Sequence, residues 1–209
     1  MLKKNQSFFN LDETFAHAVR QLAEKNPQEV AANAAVEYDM QTETFQVPLL
    51  TGLYNVAYPS GNPTVKATGE KASIYIAIIL LHYLNTASGS SLSGRWISFK
   101  ELPGGQIYID PFNKRAITPL LKVFGNQPED FAKAAAQIGG YQQQEFGEYA
   151  YVIPALPQVP VCFIIRPGDD EFSPSANILF DAFAHLYLPT EDYAHLPGVI
   201  LKELKQALN

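Results

Sequence analysis

The stretch SIYIAIILLHYL, residues 73–84, limits the possible folds more than any other part of the chain. It is apolar on every side and runs for roughly a dozen residues, well short of the roughly 20 that a membrane-spanning helix needs. A helix with no polar face has nothing to leave in water, so a buried core helix is expected from about Lys71 to Thr86. The rest of the chain must then supply its cover. His82 lies inside this run with no acidic partner in sequence, and reads as a hydrogen-bonded core histidine rather than a ligand.

The cover changes period along the chain. Asn10 is placed to cap a helix to about Lys25, with Leu11, Phe15, Ala18, Val19 and Leu22 as its buried stripe. Asn26 and Pro27 restart a short helix. From Val36 the pattern alternates through VEYDM, TFQVP, YNVAYP and TVKAT, broken by QTE, TG and SGN, which predicts an antiparallel meander. After the apolar helix, QIYI reads as a short strand. Asp110 and Pro111 open a helix that Pro119 should kink or split, and 128–138 forms another helix, closed by Gly139. EYAYVIPAL and VPVCFIIR are strands, the second apolar enough for a central position. PGVILKELKQAL is an amphipathic C-terminal helix. Strands and helices are segregated rather than alternated. The expected class is α+β, with antiparallel sheet or sheets packed against the helix at about 71–86 and several peripheral helices. The expected organisation is a single domain over 1–209, with residues 1–35 as a helical N-terminal appendage.

Composition narrows the chemistry. With 209 residues, 47% hydrophobic and 17% charged, the chain is globular rather than disordered. A net charge of −6 argues against a nucleic-acid binder, which needs clustered cations. The lone Cys162 rules out an internal disulfide, and an iron–sulfur cluster or thiolate zinc site built from this chain alone. Its setting, VPVCFII, suggests a core residue. MLKKNQSFFNLDETF lacks the apolar run of a secretory peptide, so a cytoplasmic location off the membrane is expected. GSSLSGRW imitates a phosphate loop but has Arg95 and Trp96 where Lys and Ser/Thr are required. No G-x-S-x-G, H-E-x-x-H or G-x-G-x-x-G occurs.

Two segments carry the unusual residue combinations. In RWISFKELPGG, Ser98 and Glu101 have capping-box spacing, and Pro103, Gly104 and Gly105 end the turn. Trp96 and Phe99 flank that turn, as core or as the lining of a groove. In the second segment an acid stands four residues before a histidine, as it does in three places: Glu13–His17, Asp181–His185 and Glu191–His195. The first lies on a solvated helix face. The third is read as a capped turn that Pro197 ends at His195. The middle copy makes a pair only if 178–188 is helical, with Asn177 or Ser175 as cap. As a strand it would set Asp181 and His185 about 13 Å apart. The helical reading is favoured, giving an oriented imidazole near RPGDDEF, where Asp169, Asp170 and Glu171 form either a solvated turn or a hard-cation site.

LLHYL, GRWISFKELPGGQIY, GDDEF and NILFDAFAHLYLPTED together resemble an uncharacterised domain-of-unknown-function family of anaerobic bacteria and archaea, over about Ala35 to Leu196. Trp96, Ser98, Phe99, Glu101, Leu102, Pro103, Gly104 and Gly105 match its central motif. Asp170, Glu171, Phe172, Leu179, Phe180, Asp181, Tyr187 and Leu188 match its later one. The resemblance implies no defined activity. Some relatives carry a cysteine-rich iron–sulfur segment, which implies association with anaerobic redox or one-carbon enzymes, and this chain lacks that segment.

The expected function is therefore a cytoplasmic accessory or binding domain for a protein partner or small molecule. Its groove would be formed by Trp96, Ser98, Phe99, Glu101, Gly104 and Gly105, facing the Asp170–Glu171 loop and Asp181. The rivals are a metal-dependent or acid–base hydrolase using Asp170, Glu171, Asp181 and His185, with Asp170 and Glu171 as metal ligands, and a structural subunit of a complex.

Overall fold

The apolar stretch is a helix in the computed structural model, which describes residues 10–208. Residues 1–9, where the stretch read as lacking a secretory signal and the expected appendage both begin, lie outside the described residues. Two compact units emerge. One comprises the residues up to Val47 with Gly52–Gly89; the other comprises Pro48–Thr51 with the residues from Ser90 on.

The first unit holds α1 (Leu11–Ala23), α2 (Pro27–Ala34), β1 (Glu37–Asp39), β2 (Thr44–Leu49) except its last two residues, β3 (Gly52–Ala57), β4 (Pro63–Val65) and α3 (Ile74–Thr86). Helix α3 buries Leu80, Leu81, Tyr83 and Leu84 almost completely. Two of its polar groups are answered by neighbours, as burial favours: Tyr83 Oη donates to the Ala34 carbonyl at 2.6 Å, and Asn85 Nδ2 to that of Ala18 at 2.8 Å, while Asn85 Oδ1 is buried without a partner among the described residues. It starts at Ile74 rather than Lys71 because Lys71 forms a β-bridge with Thr64. Asn26 caps α2, accepting from the Gln28 and Glu29 N–H groups at 2.9 and 3.2 Å, with Pro27 in the first turn. Asn10 precedes α1 but makes no cap bond; its amide donates to Glu13 instead. The meander is present: strands run in sequence order, and β2 buries Phe45, Val47 and Leu49 on one face.

The second unit is built on a sheet ordered β5-β9-β8-β7-β6: β5 (Trp96–Ser98), β6 (Tyr141–Gln142), β7 (Ala150–Leu156), β8 (Val159–Arg166) and β9 (Ser175–Asp181). Strand β8 is central, and Val161–Ile165 are all buried, as its unbroken apolar run requires. One face carries Phe180, whose ring meets those of Phe99, Phe112 and Tyr193, and Phe163, which packs on Phe131. The other carries a smaller cluster of Val152, Cys162 and Ile164, with Trp96 and Leu179 against it. The helical segments are α4 (Ile109–Phe112), α5 (Thr118–Phe124), α6 (Pro128–Gln137) and α7 (Thr190–Gln206). The fold is α+β with two antiparallel sheets, and no helix among the described residues is long and apolar enough to cross a membrane.

Three local expectations are corrected, and the split expected at Pro119 takes a definite form. QIYI is no strand: 105–108 is a 3-10 turn running into α4. A four-residue run cannot distinguish the two periods, and the Gly104–Gly105 turn feeds it directly into helix. Upstream of Pro119 the helix widens into a π turn, Asn113–Ile117, before α5. Proline has no N–H for the carbonyl of Arg115, and the wider turn absorbs that break. Residues 178–188 are not a helix; they finish β9 and then form a 3-10 turn, Ala184–Leu186, so neither Asn177 nor Ser175 caps a helix there. Pairing on both sides decides this, with Leu179 opposite Cys162 of β8 and Phe180 opposite Ile97 of β5. Finally, α7 runs straight through Pro197. An interior proline costs about 3 kcal/mol. Tyr193, Ile200 and Leu204 are all fully buried on that helix, each contributing roughly 1.5–3 kcal/mol, so burial wins.

Candidate functional site

Strand β5 is short because its last residue turns the chain away. The Ser98 N–H and hydroxyl both donate to Glu101 Oε2 at 2.8 Å, closing a 3-10 turn over Phe99–Glu101. These bonds, that from the backbone first, hold the Glu101 carboxyl below the usual carboxylate range, and the Arg95 charge adds to them. Leu102 then leads into Gly104, at φ 72°, and Gly105, where a Cβ would stand 2.0 Å from the Phe99 carbonyl oxygen. Hence β5 pairs with β9 only at Leu179–Asp181.

The outer edge of β9 is left open below that point. Backbone groups in an antiparallel strand point alternately to its two neighbours. The Ala182 N–H donates to the Arg95 carbonyl on the β5 side, so Ile178 and Ala176 face that side too, where no strand follows. The Ile178 N–H is taken by Asn177 Oδ1 at 2.9 Å. A cleft of about 330 Å³ opens there. Buried Phe99 and Phe112, stacked 4.2 Å apart, form its floor with Ile109 and Ile117, while exposed Lys100, Asn113 and Asn177 stand at its rim. Asn113 and Ile117, four residues apart, reach the cleft from one face of the π turn. Arg115, on the opposite face, donates from Nη1 to His195 Nε2 at 3.1 Å.

The other end of β9 is a structural knot. Asp181 is buried; its Oδ1 accepts from the Ser93 N–H, the Ser93 hydroxyl and the Phe183 N–H at 3.0, 2.9 and 2.8 Å, and its Oδ2 from the Gly94 N–H at 2.8 Å. Tyr187 Oη donates to the Ser90 carbonyl in the same loop. None of the Asp181 bonds goes to His185, which is exposed in the turn that follows, so the expected Asp181–His185 pair does not form.

The two sequence segments do meet, because Trp96 lies opposite Asp181 and Ser98 opposite Leu179. Of the six expected groove residues, Ser98 and Phe99 line the cleft. Trp96 packs with Leu179 on the smaller cluster, while Glu101, Gly104 and Gly105 shape the turn. Asp170 and Glu171 sit on the exposed loop between β8 and β9, where Asp169 Oδ1 accepts from the Glu171 and Phe172 N–H groups at 2.9 and 2.7 Å. That loop adjoins Ser175, whereas Asp181 ends the same strand, about 20 Å away at strand rise. Among the described residues no group of three or more His, Cys, Asp or Glu side chains could hold a metal ion. Cys162 is fully buried, and burial pushes its thiol up to about 12. Glu13 and His17 are exposed on α1, and His82 is half-buried in α3.

Sequence reading missed Lys100, Phe112, Asn113 and Ala176. The one available signal was Pro119, whose missing N–H implies a backbone irregularity one turn upstream, where Asn113 lies. His195 was read only as the end of a turn. Burial, then the Arg115 guanidinium, lowers its pKa, and Asp192 opposes them. The folded pKa thus lies below the unfolded value of about 6.5, so between them the unfolded chain binds more protons. Stability is expected to be full above about pH 6.5 and to fall as pH drops through the folded pKa. Urea melts from pH 7.5 to 5 should show this slope, and His195→Gln should flatten it.

Compared with protein-family models, residues 26–203 match the one described as "Domain of unknown function (DUF3786)". No curated protein and no solved structure matches the chain.

Proposed function

The chain belongs to the DUF3786 family, and from that premise we propose that it is a binding domain whose site is the cleft at the open edge of β9. One observation carries this reading: a cleft of about 330 Å³ with an apolar floor and a polar rim lies where a sheet leaves backbone groups unpaired. That combination is what small-molecule sites are made of. Of the carboxylates expected at or beside the site, Glu101 accepts twice from Ser98, and Asp181 already has a donor for each oxygen. Both uses are architectural, which favours binding over acid–base chemistry there.

The test is a fragment screen by NMR on the full chain with assigned amides. Binding should shift the amides of Lys100, Asn113 and Ala176 together, and Asn113→Trp, which fills the cleft from its exposed rim, should abolish those shifts. Hits that map elsewhere, or that survive Asn113→Trp, would overturn the reading.

A further inference from the structure

We infer that the cleft takes a small organic carboxylate carried on an apolar, aromatic body, with Lys100, the Ala176 N–H and the Asn113 carboxamide receiving the carboxylate. The inference rests on the proposed binding role and adds the ligand class.

The polar groups at the cleft differ in how far they are committed. Ser98 donates to Glu101, and Asn177 Oδ1 accepts from Ile178. Among the described residues, Lys100 and Asn113 have no side-chain hydrogen bond or ion pair, and both are exposed at the cleft. The Ala176 N–H points to the side that β5 has left. The uncommitted groups are therefore the Lys100 ammonium, the Ala176 N–H, the Asn113 carboxamide and the Asn177 amide nitrogen, beside the outward carbonyls of Ala176 and Ile178; the one full charge among them is positive, and no acidic side chain lines the cleft. In a protein of net charge −6 such a lining selects an anion. Carboxylates accept from several donors at once. Below the rim, Phe99 and Phe112 with Ile109 and Ile117 offer an apolar bed suited to an aromatic ring.

An extended peptide added as a strand is the other occupant that an open edge invites. It needs successive backbone groups of β9, and the Ile178 N–H is already held by the Asn177 side chain. The open segment is also short, from Ser175 to Ile178. A small molecule fits both facts.

The experiment compares 2-naphthoate, neutral 2-naphthylmethanol and cationic 2-naphthylmethylamine, each titrated into the full chain at low salt and followed by the Ala176 and Lys100 amides. Naphthoate should bind about fivefold more tightly than the alcohol, the scale of an exposed ion pair. Lys100→Gln should remove that advantage and leave the alcohol unchanged, and added salt should do the same. If the alcohol or the amine binds the cleft as well as naphthoate does, the ligand class is wrong while the binding role stands. If naphthoate causes no shift at these amides, the inference fails, and the fragment screen decides separately whether the binding role fails with it.

Discussion

Asp181→Ala should destabilise the protein by roughly 3–5 kcal/mol, the cost of breaking a buried, charge-assisted network from one side. The side chain is 4% exposed. It holds the N–H groups of Ser93, Gly94 and Phe183 and the Ser93 hydroxyl, and alanine leaves all of these without their acceptor. In a chain of this length the loss should appear as a fall in melting temperature of roughly 6–20 °C. Asp181→Asn separates the two oxygens. Its carbonyl can replace Oδ1 and keep the Ser93 and Phe183 donors, but its amide then faces the Gly94 N–H, donor against donor. The asparagine variant should therefore lose about 1–3 kcal/mol, less than alanine. A loss below about 1 kcal/mol for alanine would mean that water serves this loop as well as the carboxylate does. The knot would then not be the anchor of the Ser90–Gly94 segment.

Gly105→Ala should cost about 3 kcal/mol, more than Gly104→Ala, although Gly104 has the positive φ. At Gly104 the φ is 72° and an added Cβ meets nothing within 4 Å, so the penalty is the left-handed strain of about 1–2 kcal/mol. At Gly105 the φ is ordinary, but a Cβ would sit 2.0 Å from the Phe99 carbonyl oxygen and 3.1 Å from its carbon. Both are backbone atoms, so relief requires moving the turn that ends β5, and overpacking of that kind reaches or exceeds the usual 1–3 kcal/mol. Urea midpoints of the two variants settle the order. A larger loss at Gly104 would show that conformation rather than close approach governs this turn. Because the turn also opens the edge of β9, Gly105→Ala should perturb the Ala176 and Lys100 amides more than Gly104→Ala does.

Local chemistry made much of the architecture readable. Asn26 and Pro27 mark a helix start whatever surrounds them, and the Ser98–Glu101 box forms between residues three apart. The alternation of β2 and the unbroken run of β8 state which faces are buried. The stretch 178–188 was ambiguous for the opposite reason: its apolar residues satisfy a helical stripe and a strand face equally. Only the partners of β9 on both sides choose between them. Pro197 shows the same limit, since a local rule worth about 3 kcal/mol yields to burial contributed by residues distant in sequence.

The candidate site divides along that line. That Trp96–Ser98 and Leu179–Asp181 belong together was legible, because both segments concentrate unusual residues, and they pair strand to strand. Of the residues that line the cleft, Ser98 and Phe99 were legible as groove residues and the others were not. Lys100, Asn113 and Ala176 come from a turn, a π turn and a strand edge, and no spacing in one dimension links them.

By itself the sequence determined the α+β class, the buried helix, the capped turn after Ser98 and the central place of Val159–Arg166, because each rests on the periodicity or hydrogen bonding of neighbouring residues. Tertiary structure alone decided that Asp181 is an anchor rather than half of an acid–base pair, that α7 passes through Pro197, and that the edge of β9 stays open. Those outcomes depend on free energies contributed by residues far apart in the chain, which compete with local preference and are set only when the segments meet.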